Sequence, residues 1–143
     1  MNMNRLWNMG NPYQGAYEKV LCVCSAGLLR SPTAAVVLAG EPFNHNTRAV
    51  GISHDHALIP IDEVSVQWAD SIVFMEIQHY HAAHKLYDLE TLKARFYILD
   101  IPDRFAYRDP ELVRMITNRW YDREIYLRVP KDEQTWPEMN DNF

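Results

Sequence analysis

The sequence predicts an α/β fold, a single three-layer domain in which a four-stranded, mostly parallel sheet carries helices on both faces. Three observations predict it. Short apolar runs rich in β-branched residues alternate along the chain with longer stretches of helical spacing. The helical stretches carry start and stop residues of their own, such as Pro32, Gly40 and Asp109-Pro110. A length of 143 residues with 48% hydrophobic content suits one domain with a real core. Strands alternating with helices imply right-handed crossovers and a sheet covered on both sides.

Residues 1–17 contain Asn, Gly, Pro and Met without a sustained period, and Leu6, Trp7, Tyr13 and Tyr17 offer side chains for surface packing. This stretch reads as an N-terminal extension. The first strand is expected over residues 19–23, with a loop over 24–30 behind it. Its helix is punctuated by Ser31 as N-cap, Pro32 at the first helical position, an apolar run over 34–39, and Gly40 at the end. A second strand over 46–50 ends at Gly51, and His54-Asp55-His56 then forms a polar loop.

Ile61, Val64 and Trp68 keep a helical spacing that leads into a third strand over 71–75. Residues 76–86 turn helical again, with Tyr80, Ala83 and Tyr87 as candidate buried positions, and residues 95–99 read as the fourth strand. Pro102 and the carboxylates around it make residues 100–108 a loop. Asp109 and Pro110 open the last helix as N-cap and first position, and Leu112, Met115, Ile116 and Trp120 form its apolar stripe. The domain thus spans 18–120. Residues 121–143 hold the end of that helix and a polar tail, broken by Pro130 and Pro137 and expected to be weakly structured.

A net charge of -5 argues against a nucleic-acid partner, because duplex binding uses a basic surface to displace counterions. The two cysteines, Cys22 and Cys24, lie too close in an extended segment for an unstrained disulfide. With no signal-peptide pattern and no apolar run long enough for a bilayer, the chain reads as cytoplasmic, with reduced thiols and no membrane partner.

The chemistry concentrates after the first strand, where Cys24 is followed by five residues, then Arg30 and a helix start. Loop amides at a helix N-terminus supply hydrogen-bond donors and a positive potential suited to a tetrahedral oxyanion. Arg30 adds a planar fork that engages two anion oxygens at once. The same field favours the thiolate form of Cys24, and Ser31 can donate a hydrogen bond to it. In parallel sheets ligands bind outside the carboxyl ends of the strands, and both the Cys24 loop and the Asp103 loop lie at that edge.

Several pieces together resemble the low-molecular-weight protein tyrosine phosphatase superfamily, and a short bacterial and phage-type branch of it in particular. They are Cys24-Ser25, Arg30-Ser31-Pro32-Thr33-Ala34, Trp68-Ala69-Asp70, Met75-Glu76, Leu99-Asp100-Ile101-Pro102-Asp103 and Asp109-Pro110-Glu111-Leu112. The resemblance covers roughly residues 19–118, in the same order and at compatible spacing. It implies the phosphotyrosine protein phosphatase I-like fold and a cysteine-dependent phosphomonoesterase acting on a phosphorylated protein or a small aryl phosphate. Cys24 would be the nucleophile that forms a phosphocysteine, and Arg30 the clamp on the equatorial oxygens. Ser31 would be the thiolate partner and Asp103 the general acid. The backbone of Ser25, Ala26, Gly27, Leu28, Leu29 and Arg30 would line the phosphate. No cofactor or metal is implied.

Three positions depart from the family's pattern. Gly27 stands where an Asn usually braces the loop from a left-handed backbone conformation, and Leu29 stands where many larger relatives carry a second cysteine. Arg104 replaces a frequent Pro or Asp after the acid. Other residues keep two readings. Asp103 could be a turn carboxylate, with Asp100 or Asp109 as the acid, although Asp109 is better explained as a cap. Phe105, Tyr107 and His54 are candidates for the substrate pocket, and packing of the loop explains the aromatic pair about as well. Glu76 either bonds the phosphate loop or serves as a helix N-terminal charge. Cys22 is a core residue or a redox partner of Cys24. His79, His81 and His84 provide at most one i,i+3 pair, so a solvated helix outweighs a metal site. Two other functions fit the loop: thiol-dependent arsenate reduction, and phosphate binding without turnover.

Overall fold

The computed structural model describes residues 8–9, 17–27, 29–123 and 127–128. Four parallel strands form the centre of the sheet: β2 (Lys19–Cys24), β3 (Asn46–Gly51), β4 (Ser71–Phe74) and β5 (Arg95–Ile98). Two further strands of two residues each, β1 (Asn8–Met9) and β6 (Leu127–Arg128), pair antiparallel on the outer edges. The sheet order is therefore β1-β3-β2-β4-β5-β6. The four-stranded parallel core is as expected. The two edges were not legible in local sequence, since a two-residue strand carries no measurable periodicity.

Between the strands lie α1 (Arg30–Ala39), α2 (Glu63–Trp68), α3 (Ile77–Leu86) and α4 (Pro110–Tyr121). Side chains of β2 alternate strictly. Val20, Cys22 and Cys24 face one core with Ala34, Leu38, Leu112, Ile116 and Trp120, from α1 and α4. Leu21 and Val23 face the other with Val66, Tyr80 and Ala83, from α2 and α3. The period of two that a strand imposes thus puts Cys24 on the α1 and α4 side, at the carboxyl end of a central strand.

Trp120 is fully buried, donates its indole N–H to His45 Nε2 at 3.2 Å and meets Tyr97 edge-on at 5.6 Å between centroids. Trp120→Ala is expected to cost about 3–5 kcal/mol, read as a lower urea midpoint, because α4 would lose its largest anchor.

The helix starts show where local reading stops short. Asp109 caps α4 as expected, accepting from the Glu111 amide at 2.8 Å. Asp62 caps α2, accepting from the Ser65 amide at 2.7 Å, so this helix begins two residues after Ile61. Ser31 is not the cap of α1: that helix starts at Arg30 behind Leu29, and Ser31 lies inside its first turn. Its hydroxyl is drawn instead toward Cys24 and the Val50 carbonyl. Pro32 still fits, because first-turn residues need no N–H partner within the helix. A short 3₁₀ turn, Leu89–Thr91, lies ahead of β5, in a stretch assigned to no element. Among the described residues no helix is long and apolar enough to cross a membrane.

Candidate active site

Where β2 ends, the chain loops back over its own sulfur. The Gly27 amide donates to Cys24 Sγ at 3.1 Å, and Ser31 Oγ lies 3.1 Å from the same sulfur. The amide is a donor to this buried sulfur, and the hydroxyl can be donor or acceptor in its contact with it. The Ser31 hydroxyl also lies 3.2 Å from the Val50 carbonyl, which holds its position.

The loop rests on the end of β3. The Ile52 amide donates to the Cys24 carbonyl and the Ser53 amide to the Ser25 carbonyl, both at 2.9 Å. Gly27 has φ +70°, and a Cβ there would stand 2.9 Å from the Gly51 nitrogen and the Val50 carbonyl carbon. Gly51 is as tight from the other side, since a Cβ on it would meet the Ala26 carbonyl carbon at 2.5 Å. The glycine at 27 is therefore required by close backbone approach as well as by its left-handed conformation. Gly27→Asn would restore the residue usual in the resembled family, yet it is expected to destabilise by about 1–3 kcal/mol through overpacking. An unchanged urea midpoint would show that the loop backs away from Gly51 at no cost.

Arg30 opens α1 and is 2% exposed. Its Nη1 donates to a carboxylate oxygen of Glu76 and to the Ile101 carbonyl, the latter at 2.8 Å. Both of the readings open for Glu76 hold: it occupies the N-cap of α3 and it pairs with the loop's arginine. A buried guanidinium so held keeps one plane, which is what bidentate anion recognition needs. Arg30 Nε lies 3.7 Å from Asp103 Oδ1.

Asp103 reaches that point from the loop after β5. The loop is tied at its start by the Ile101 amide on the Met75 carbonyl (2.7 Å), and at its end by the Arg108 amide on Thr33 Oγ1 (2.8 Å). Between them Phe105 is 5% exposed and packs in the core with Leu112 and Ile116, while Asp103, two residues earlier, keeps 64% of its side chain exposed. Cys24, Ser25, Ala26, Leu29, Arg30 and Asp103 line a cavity of about 220 Å³.

The lining does not take in every residue named from the sequence. Phe105, Tyr107 and His54 are not among the lining residues. Phe105 anchors its loop in the core, Tyr107 is exposed, and the His54 ring is engaged with the Ile61 carbonyl at 3.0 Å. Leu28 lies outside the described residues. Asp100 adopts φ +55° in the turn after β5, and Asp109 serves α4 as its cap, so Asp103 alone of the three lines the cavity. Cys22 is a core residue, its thiol pKa pushed well up by burial.

His79 departs from the solvated helix face expected of it: it is 2% exposed and its Nε2 lies 2.9 Å from Ser25 Oγ. Burial and the neighbouring Arg30 charge push its pKa down to about 3. The signal that could have found it is Glu76-x-x-His79, an N-terminal capping spacing directly after a strand. Among the described residues no group of three or more His, Cys, Asp or Glu side chains is placed to hold a metal ion.

The architecture is a three-layer α/β domain with a cysteine loop at the carboxyl edge of its sheet, and the fold implied by the resemblance to low-molecular-weight phosphatases is present. Two solved structures share it. One is the YwlE arginine phosphatase from Geobacillus stearothermophilus, at 17% identity and a TM-score of 0.53, covering 71% of this chain and 84% of that one. The other is Vibrio vulnificus Wzb in complex with benzylphosphonate, at 19% identity and a TM-score of 0.54, covering 72% of this chain and 91% of that one. No protein-family model matches the chain, and no curated protein matches it.

Proposed function

We propose that the protein is a cysteine-dependent phosphomonoesterase, acting on phosphotyrosine or another aryl phosphate through a phosphocysteine, with residues 18–120 as its catalytic unit. The observation that carries this reading is the lining of one cavity. A doubly hydrogen-bonded Cys24 sulfur, the buried fork of Arg30 and the Asp103 carboxylate all border it.

In the first step the Cys24 thiolate attacks phosphorus in line, the bond from phosphorus to the leaving oxygen breaks, and Asp103 protonates that oxygen. Amides of the loop after Cys24, other than the Gly27 amide that donates to the sulfur, and the Arg30 guanidinium hold the three equatorial oxygens as charge spreads over them. In the second step Asp103 takes a proton from water, whose oxygen displaces the sulfur, releasing inorganic phosphate and the thiolate. Ser31 stabilises the thiolate at the start and end of the cycle. Leu29, 40% exposed at the cavity, offers apolar surface to an aryl ring.

The names of the two structural neighbours agree with an oxyanion site: one is a phosphatase, and the other holds a phosphonate bearing an aromatic ring. Turnover of phenyl phosphate, followed by acid quenching and mass analysis of the peptide containing Cys24, tests the reading. A phosphoryl adduct on Cys24 with release of inorganic phosphate is expected. Phosphate binding without adduct or turnover would make the protein a binding module, and thiol-coupled arsenate turnover in their place would make it a reductase.

A further inference from the structure

The loop is gripped at both ends by a single turn of chain. Glu76, at the N-cap of α3, holds Arg30 at the end of the loop, and His79, one turn on, holds Ser25 at its beginning. The Glu76 amide donates to His79 Nδ1 at 3.1 Å, so that nitrogen carries no proton and the neutral ring carries it on Nε2. Nε2–H then donates to Ser25 Oγ across 2.9 Å. A hydroxyl whose oxygen already accepts keeps its own proton for another acceptor. Ser25 is exposed, lines the cavity beside Cys24, and has its carbonyl tied by the Ser53 amide, so main chain and side chain are both oriented.

We propose that His79 is a positioning residue of the anion cradle, holding Ser25 so that its hydroxyl proton is directed to an oxyanion bound over Cys24. This rests on the reading of the loop as an oxyanion site. Gly27 has no side chain with which to brace the loop, and the His79–Ser25 pair supplies a brace from beneath. The ring suits the task because it stays neutral at working pH and, with Nδ1 occupied, has one donor and one direction. It acts through Ser25 and does not itself border the cavity.

Binding of tungstate to the full chain, measured by calorimetry, tests this without requiring turnover. Ser25→Ala and His79→Leu are each expected to weaken binding roughly tenfold, the value of one hydrogen bond to a charged group. The double variant should be no weaker than Ser25→Ala alone, and His79→Gln, whose side-chain amide can donate from nearly the same point, should restore most of the affinity. Multiplying losses in the double variant, or no rescue by glutamine, would reduce His79 to a packing residue. Ser25→Ala touches no core contact, so wild-type affinity in that variant overturns the proposal even if His79→Leu does not fold. Tungstate binding with the expected pattern but no hydrolysis would sink the phosphatase reading and leave this one standing. Hydrolysis with wild-type tungstate affinity in Ser25→Ala would do the reverse.

Discussion

Cys24→Ser is expected to lower the hydrolysis of phenyl phosphate by roughly 10⁴-fold or more, the scale of removing a nucleophile from a site that acts as a unit. The physical cause is local. The Gly27 amide donates to the sulfur at 3.1 Å, and the Ser31 hydroxyl oxygen lies at the same distance from it. A serine hydroxyl holds its proton far more tightly than a thiol, and two hydrogen bonds do not close that gap. The substitution is nearly isosteric, and Cys24 is 3% exposed at a strand end, so tungstate binding and the urea midpoint should stay close to wild type. Loss of hydrolysis with retained oxyanion binding separates nucleophile from fold. If Cys24→Ser kept full activity, the thiol would be an ordinary core residue.

Asp103→Asn should have the next largest effect, a fall in kcat of roughly 10²- to 10⁴-fold on phenyl phosphate, the usual range for a positioned general acid. The loss should depend on the leaving group. Phenolate is a strong base and needs the proton as its bond to phosphorus breaks, whereas p-nitrophenolate departs readily without it. The kcat on p-nitrophenyl phosphate is therefore expected to fall much less. Asp103 is largely exposed and lies 3.7 Å from Arg30 Nε, so the variant should fold as wild type. Equal losses on both substrates would mean that the carboxylate orients Arg30 and delivers no proton, and Asp100→Asn serves as the control from the same loop.

Much of this site was legible because it is local. Cys24, the five-residue loop and Arg30 are joined by a short stretch of chain between a strand and a helix, and that spacing alone brings sulfur, amides and guanidinium together. The helical stripe of Leu112, Ile116 and Trp120 likewise reports which face of α4 is buried. Asp103 was reachable through the rule that loops at the carboxyl ends of parallel strands share one edge. Phe105 shows the limit of that rule. Proximity to an acid in sequence does not say which way a side chain points, and the core under α4 took the ring.

Ser31 and His79 were decided by partners far away in the chain. Ser31 reads as a cap because serine before proline at a helix start favours one, and the sulfur of Cys24 and the carbonyl of Val50 hold its hydroxyl elsewhere. His79 lies 54 residues from Ser25, and no periodicity links them. What the sequence determined by itself was the alternation of strands and helices, the faces each buries, and the cysteine-to-arginine loop, all set by contacts within a turn or two of chain. What only the tertiary structure decided was the lining of the cavity, the glycine contact of Gly27 with Gly51, and the grip of Glu76 and His79 on the two ends of the loop. Each depends on two segments meeting across the sheet edge, and that meeting is set by strand order and register, which local propensity does not encode.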